Sequence, residues 1–201
     1  MLHDLGKLSL PPALRGKADN LTGEELNQVA RAVIIGVDKI SDAFMLPAGV
    51  KNILMQLCQL QYLLEKAPDS ISDAVKVLMV ANAYDEYTAM RLDENPHTEV
   101  EAIRMLQSHP ELYDRKMVKH LMDSVKILYP GVCVELTNSE RGLVLRENEK
   151  DILRPMVLGF GTNEIYDLED AGVYGVVQIK DIMKTMDNRI KVDPERLKEY
   201  M

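Results

Sequence analysis

A chain of 201 residues with 46% hydrophobic side chains has material for one good-sized domain, or for a domain of about 130 residues with a small appendage, which excludes disorder. The formal net charge of -8 repels a phosphate backbone and an anionic bilayer, so neither nucleic acid nor a membrane is expected as a partner. No apolar run reaches membrane-spanning length and no signal peptide precedes the first motif, so a cytoplasmic protein is expected.

Met1-Leu2 leads directly into His3-Asp4-Leu5-Gly6-Lys7, with no preceding helix to hold a chemically loaded segment. The supporting part is expected upstream of Met1 or lost. Thr22-Gly23-Glu24-Glu25 has capping-box spacing, and Leu26, Val29, Ala30, Val33, Ile34 and Val37 recur after it at helical intervals, predicting a helix over 23–44. Pro47 suits the first turn of a second helix, with Ile53, Leu54, Leu57, Cys58, Leu60 and Leu64 on its apolar face. Asp69 or Ser70 caps a third, running through Ile71, Ala74, Val75, Leu78, Met79 and Ala81 to about Arg91. A second capping box, Thr98 to Glu101, opens a short helix ending near Ser108, and Asp114 caps a fifth that reaches Leu128.

At Tyr129-Pro130-Gly131 the period changes from helical to two. Strands are predicted over 132–136, 143–145, 155–160, 164–168 and 176–179, with a turn over 137–142 and a closing helix over 195–200. The expected fold is mainly α: a helical domain over 1–129, then a small antiparallel β unit with a C-terminal helix over 130–201, α+β overall. Cys58 and Cys133, far apart in apolar stretches, read as buried reduced thiols. Met45, Met55, Met79 and Met90 read as core filler.

His3 beside Asp4 offers one nitrogen and two oxygens to a cation, a donor mixture suited to iron, manganese or zinc. Lys7, three residues after Asp4, shares its helical face and can meet a phosphate where negative charge develops. Gly6 reads as a helix stop that frees the backbone to turn.

Together with the later motifs, this segment resembles the HD superfamily of metal-dependent phosphohydrolases, in particular its HD-GYP group. The matching residues run in order: His3 to Lys7, Leu10-Pro11, Lys17, Leu21-Thr22-Gly23-Glu24-Glu25, Gly36, Val80-Ala81-Asn82-Ala83-Tyr84-Asp85-Glu86, Arg91 and Glu101-Ala102. The resemblance covers about residues 1–128 and implies an HD-type helical bundle whose first helices would precede Met1. It implies metal ligation by His3 and Asp4, catalysis by Asp4 with Lys7, and a ligand met by Lys7, Lys17 and Arg91. The implied substrate is cyclic di-GMP, cut by metal-activated water, and the implied metal is divalent iron or manganese.

The departures fall at the ligands. The group's next histidine aligns with Ala32 and its proline with Val33; a later histidine pair would fall at Gln56 to Gln59, and the chain has no histidine between His3 and His97. The Gly-Tyr-Pro loop is absent from 63–70, and the aspartate completing the metal site is Asn82. A two-metal centre needs about half a dozen nitrogens and carboxylates, and the chain keeps His3 and Asp4. No firmly bound cofactor is therefore expected. His97, His109 and His120 read as surface or capping residues, and Asp85 and Arg91 carry a buried salt link as readily as a ligand.

Three readings are open. The first is a degenerate HD-GYP-like protein without turnover, acting in signalling by binding cyclic di-GMP or another nucleotide, or by assembly as a homo-oligomer. The second is a metal-dependent phosphodiesterase that works through His3-Asp4. The third is a fragment whose apolar faces pair with a missing upstream segment or another subunit. The ligand count at Ala32 and Asn82 favours the first.

Overall fold

A computed structural model describes residues 2–15, 21–63, 71–89 and 96–183, with backbone alone at 2–4 and 62–63. The chain forms two compact units, the first running to Ala83 and taking in 109–117 as well, the second holding the sheet.

The first unit begins with a 3-10 helix, Leu2–Ser9, and a short helix α1, Pro12–Arg15. The apolar period does not predict α1. Pro12 pre-sets the backbone for a first helical turn, and the Pro11 carbonyl accepts from Leu14 and Arg15 N–H at 2.9 and 3.0 Å. Helix α2, Gly23–Ala43, starts at the predicted capping box: Thr22 Oγ1 accepts from Glu25 N–H at 3.3 Å, and Glu25 Oε2 accepts from Thr22 N–H at 2.8 Å. It buries Val29, Ala30, Ala32, Val33, Gly36 and Val37 along one stripe. Leu10 and Leu14 pack into the same cluster, together with Cys58 of α3, Ala48–Leu63. Each buried valine or leucine among them contributes about 1.5–3 kcal/mol.

Between α2 and α3 one expectation is corrected. Met45 is 88% exposed rather than in the core, because the chain turns there through a left-handed conformation (φ 48°) that throws the side chain outward. Met55 and Met79 are half-buried; Met90 lies outside the described residues.

Helix α4, Asp73–Thr88, starts three residues after Ser70, and the Ser72 carbonyl accepts from Val75 and Lys76 N–H in its first turn. Both Asp69 and Ser70, like Leu64, lie outside the described residues. Lys76 reaches Asp114 Oδ2 at 3.2 Å, while Asp114 Oδ1 accepts from Lys116 and Met117 N–H at the start of α6, Arg115–Val125. Burial would push the Asp114 carboxyl up; the Lys76 ammonium and the two backbone donors outweigh it and hold the carboxyl below its ordinary value. α6 stops short of the predicted Leu128, since Lys126 takes φ 41° and breaks the helical ladder.

In the second unit, α5, Glu99–Ser108, carries the second capping box as predicted, with bonds of 3.0 and 3.2 Å between Thr98 and Glu101. It buries Val100, Ala102, Ile103 and Leu106. The five strands are β1 Cys133–Leu136, β2 Arg141–Arg146, β3 Met156–Gly159, β4 Ile165–Asp167 and β5 Ile179–Ile182. They form one antiparallel sheet in the order β4-β3-β2-β1-β5. α5 lies against β5, where the Arg104 guanidinium donates to the Ile179 carbonyl. The mainly helical chain closed by a small antiparallel sheet is the α+β fold that the periodicity predicts.

Two boundaries differ from the expected ones. The β1–β2 turn ends at Glu140 rather than at Gly142, because Gly142 pairs with Val134 and faces Gly159, where a Cβ on Gly142 would stand 2.7 Å from the Leu158 carbonyl oxygen. The last strand begins at Ile179 rather than Val176. Between β4 and β5, Asp170 caps a short helix α7, Ala171–Tyr174, by accepting from Gly172 N–H at 2.6 Å, and Val176 and Val177 both donate back to the Val173 carbonyl. The closing helix over 195–200 lies outside the described residues. Cys58 and Cys133 are both buried, as expected of reduced thiols.

Candidate functional site

His3, Asp4 and Lys7 share the 3-10 helix Leu2–Ser9. Residues three apart eclipse one another in this helix type, so positions 4 and 7 are successive on one face. The side chains of His3 and Asp4 lie outside the described residues, and Lys7 is half-buried. Lys17 and Arg91 lie outside the described residues altogether.

The segment is seated by a backbone crossing. Gly6 does not end the helix, as its residue type suggested; it is buried within it, against the carbonyl of Ala32 on α2. A Cβ at Gly6 would stand 2.8 Å from Val33 Cα, and one at Gly36 would stand 2.5 Å from Gly6 Cα and 2.6 Å from Gly6 N. Ordinary carbon contacts lie at about 3.5–4.0 Å, so neither position accepts a side chain without separating the two helices. At the downstream end Ser9 Oγ donates to the Gly6 carbonyl at 2.7 Å, and Leu10 N–H donates to the Lys7 carbonyl at 3.1 Å. Glycine within a long helix costs about 1 kcal/mol against alanine, and at Gly36 that penalty is the sequence signal for a close approach.

Ala32, aligned with the missing histidine, is therefore at the crossing itself and is 8% exposed. It presents a methyl group, which has no lone pair for a cation. Gln56 and Gln59 are exposed on α3 on either side of buried Leu57 and Cys58. Asn82 is half-buried on α4. Asp85 is exposed beside exposed Glu86 on α4, so the buried salt link offered as its alternative role is corrected. Among the described residues no three His, Cys, Asp or Glu side chains converge as a metal site would require; the side chains of His3 and Asp4 are not among them. At the matched positions the chain carries Ala32, Gln56, Gln59 and Asn82, a methyl group and three neutral amides.

The other histidines stand elsewhere. His109 and His120 are exposed, and His97 is half-buried, edge-on to the Tyr87 ring at 6.1 Å and with Nδ1 3.8 Å from Glu101 Oε2. A cavity of about 160 Å³ between α6 and the β2–β3 connection is lined by Lys119, Met122, Lys126, Glu147, Lys150 and Ile152 among others. It is smaller than the roughly 300 Å³ of an ordinary small-molecule site, and its charges are mixed.

The β unit holds a polar cluster that the sequence does not announce. Glu140 Oε1 accepts from Gly161 N–H, Thr162 N–H and Thr162 Oγ1–H at 3.1, 2.9 and 2.9 Å, and Oε2 accepts from the Tyr166 hydroxyl at 2.6 Å. Burial would raise the Glu140 carboxyl, but the Tyr166 and Thr162 donors outweigh it and hold it below its ordinary value. The hydrogen bond to Glu140 pushes the Tyr166 hydroxyl up in turn. Every donor comes from the β3–β4 turn or β4, so this carboxylate ties two turns together and serves structure.

Among the described residues no helix is long and apolar enough to cross a membrane. No protein-family model matches the chain, and no solved structure matches it significantly. A curated relative from Pseudomonas aeruginosa, named a cyclic di-GMP phosphodiesterase, is 26% identical over 164 residues, which is 80% of this chain and 40% of the relative. Over four-fifths of its length, then, the chain is similar to part of a protein named for hydrolysing a cyclic dinucleotide.

Proposed function

We propose that the chain is a degenerate HD-GYP-like module that binds cyclic di-GMP or a related nucleotide without turning it over. The observation that carries this reading is the crossing at Ala32. The motif segment is docked on the turn of α2 where the resemblance expects a ligand histidine, and that turn supplies a buried methyl group. On this reading the frame of the site is kept and a metal donor is missing from it. Asn82, a neutral amide where the resemblance expects a carboxylate, points the same way.

In this reading His3 and Asp4 are vestigial ligands, and iron or manganese is not held firmly. Lys7, with Lys17 and Arg91, supplies positive charge for the phosphates of the nucleotide. Output comes through binding or through assembly as a homo-oligomer. Metal analysis of the purified full chain tests it: a divalent-ion content well below stoichiometric is expected. A stoichiometric iron or manganese content would overturn the reading.

The similarity to a named phosphodiesterase favours a second reading, a metal-dependent phosphohydrolase working through His3-Asp4. It requires manganese- or iron-dependent cleavage of a phosphodiester that His3→Ala and Asp4→Ala each abolish.

A further inference from the structure

We infer that Gly36 is a positioning residue for the nucleotide-binding segment, acting through Gly6 without touching ligand; this rests on the binding role proposed for the chain. Gly36 sits on α2, and its missing side chain is the space into which the backbone of the 3-10 helix fits. The contact is reciprocal: Gly6 needs the absence of a Cβ to meet the Ala32 carbonyl, and Gly36 needs it to meet Gly6 N and Cα. Two mutually required glycines from separate elements fix the height of one helix over the other. Lys7 is the next residue after the contact, so its backbone origin is set directly by that height.

The leucines on either side of the crossing add little to this anchorage. Leu5 is 44% and Leu8 65% exposed, whereas Leu10 enters the core cluster. Position at Lys7 is set by the glycine crossing and by the Ser9 hydroxyl bonded to the Gly6 carbonyl, together with the Leu10 N–H bonded to the Lys7 carbonyl. A methyl group at Gly36 would lift the 3-10 helix off α2 and carry Lys7 away from its productive place. Loss of a charge-assisted hydrogen bond from Lys7 weakens binding on the order of tenfold or more.

The test is a titration of the full chain with cyclic di-GMP, comparing wild type, Gly36→Ala, Lys7→Ala and the double variant, with Ile35→Ala as a control on the exposed face of the same helix. Hydrogen exchange over 2–10 is measured on the same samples. Expected are a loss of roughly tenfold for Gly36→Ala, faster exchange over 2–10, and a double variant no weaker than the weaker single variant. Wild-type affinity in Gly36→Ala, or losses that multiply in the double variant, would overturn the inference, because a merely structural role adds to the loss at Lys7. Should Gly36→Ala fail to fold, Ser9→Ala releases the same segment without adding bulk and must show the same exchange and the same non-additivity with Lys7→Ala. A wild-type chain that binds no cyclic di-GMP defeats the binding role itself, and unchanged exchange over 2–10 then defeats the positioning role as well.

Discussion

The Glu140 carboxylate accepts four hydrogen bonds from three residues of one neighbouring turn and strand, and a single oxygen atom takes three of them. Replacing it with glutamine turns an acceptor into a donor facing donors. Because the cluster is part-exposed, Glu140→Gln is expected to cost about 1–2 kcal/mol, read as a lower urea midpoint at neutral pH. The pH dependence comes from the lowered carboxyl. The unfolded group titrates near 4.3, so the stabilisation is complete above about pH 5 and disappears as pH falls through the lower folded value. Wild type and Glu140→Gln should therefore converge in stability in acid; a gap that persists at low pH would contradict the assignment.

At the level of elements, the two capping boxes predict their own cost. Thr22→Ala removes the acceptor for Glu25 N–H and should destabilise the first unit by about 1 kcal/mol in thermal melts, while Thr22→Asp should be tolerated. These helices are legible in the sequence because capping spacing and apolar period are local: the residues that make the signal are the residues that make the element. The α2 stripe and the α5 face need nothing from elsewhere in the chain. Strand β5 is misplaced by its period because Val176 and Val177 look like strand residues, and only the upstream Asp170 cap turns them into the tail of a helical turn. The glycine crossing is half legible. Gly6 and Gly36 each stand out, yet spacing within a segment carries no information about which distant backbone will be brought against it. Gly6→Ala should thus destabilise well beyond the propensity difference, by about 2 kcal/mol or more in the same melts, although alanine is the better helix former.

For the whole molecule, the motif order, the fold and the similarity to a curated relative can be set side by side. Order and spacing of motifs run from His3 to Ala102, the fold is α+β, and a relative named for cyclic di-GMP hydrolysis aligns with most of the chain. What the motif cannot convey is whether its chemistry survives, since activity depends on the count of donors around a metal and not on the presence of a name-giving pair. The position that the resemblance assigns to a histidine is Ala32, buried at the crossing with Gly6. On the proposed reading, a histidine placed at position 32 does not by itself create turnover, because Gln56, Gln59 and Asn82 offer only neutral amides where the resemblance expects carboxylate or imidazole ligands. Ala32→His is expected to lose stability by overpacking a buried site and to gain no phosphodiesterase activity, both read on one purified variant. Whether the chain binds without turnover, as proposed, is decided by a single incubation of the purified chain with cyclic di-GMP and excess manganese, scored for both bound and linearised nucleotide. Bound cyclic di-GMP with no linear product is the expected result. Linear product that depends on manganese and vanishes in His3→Ala would contradict it.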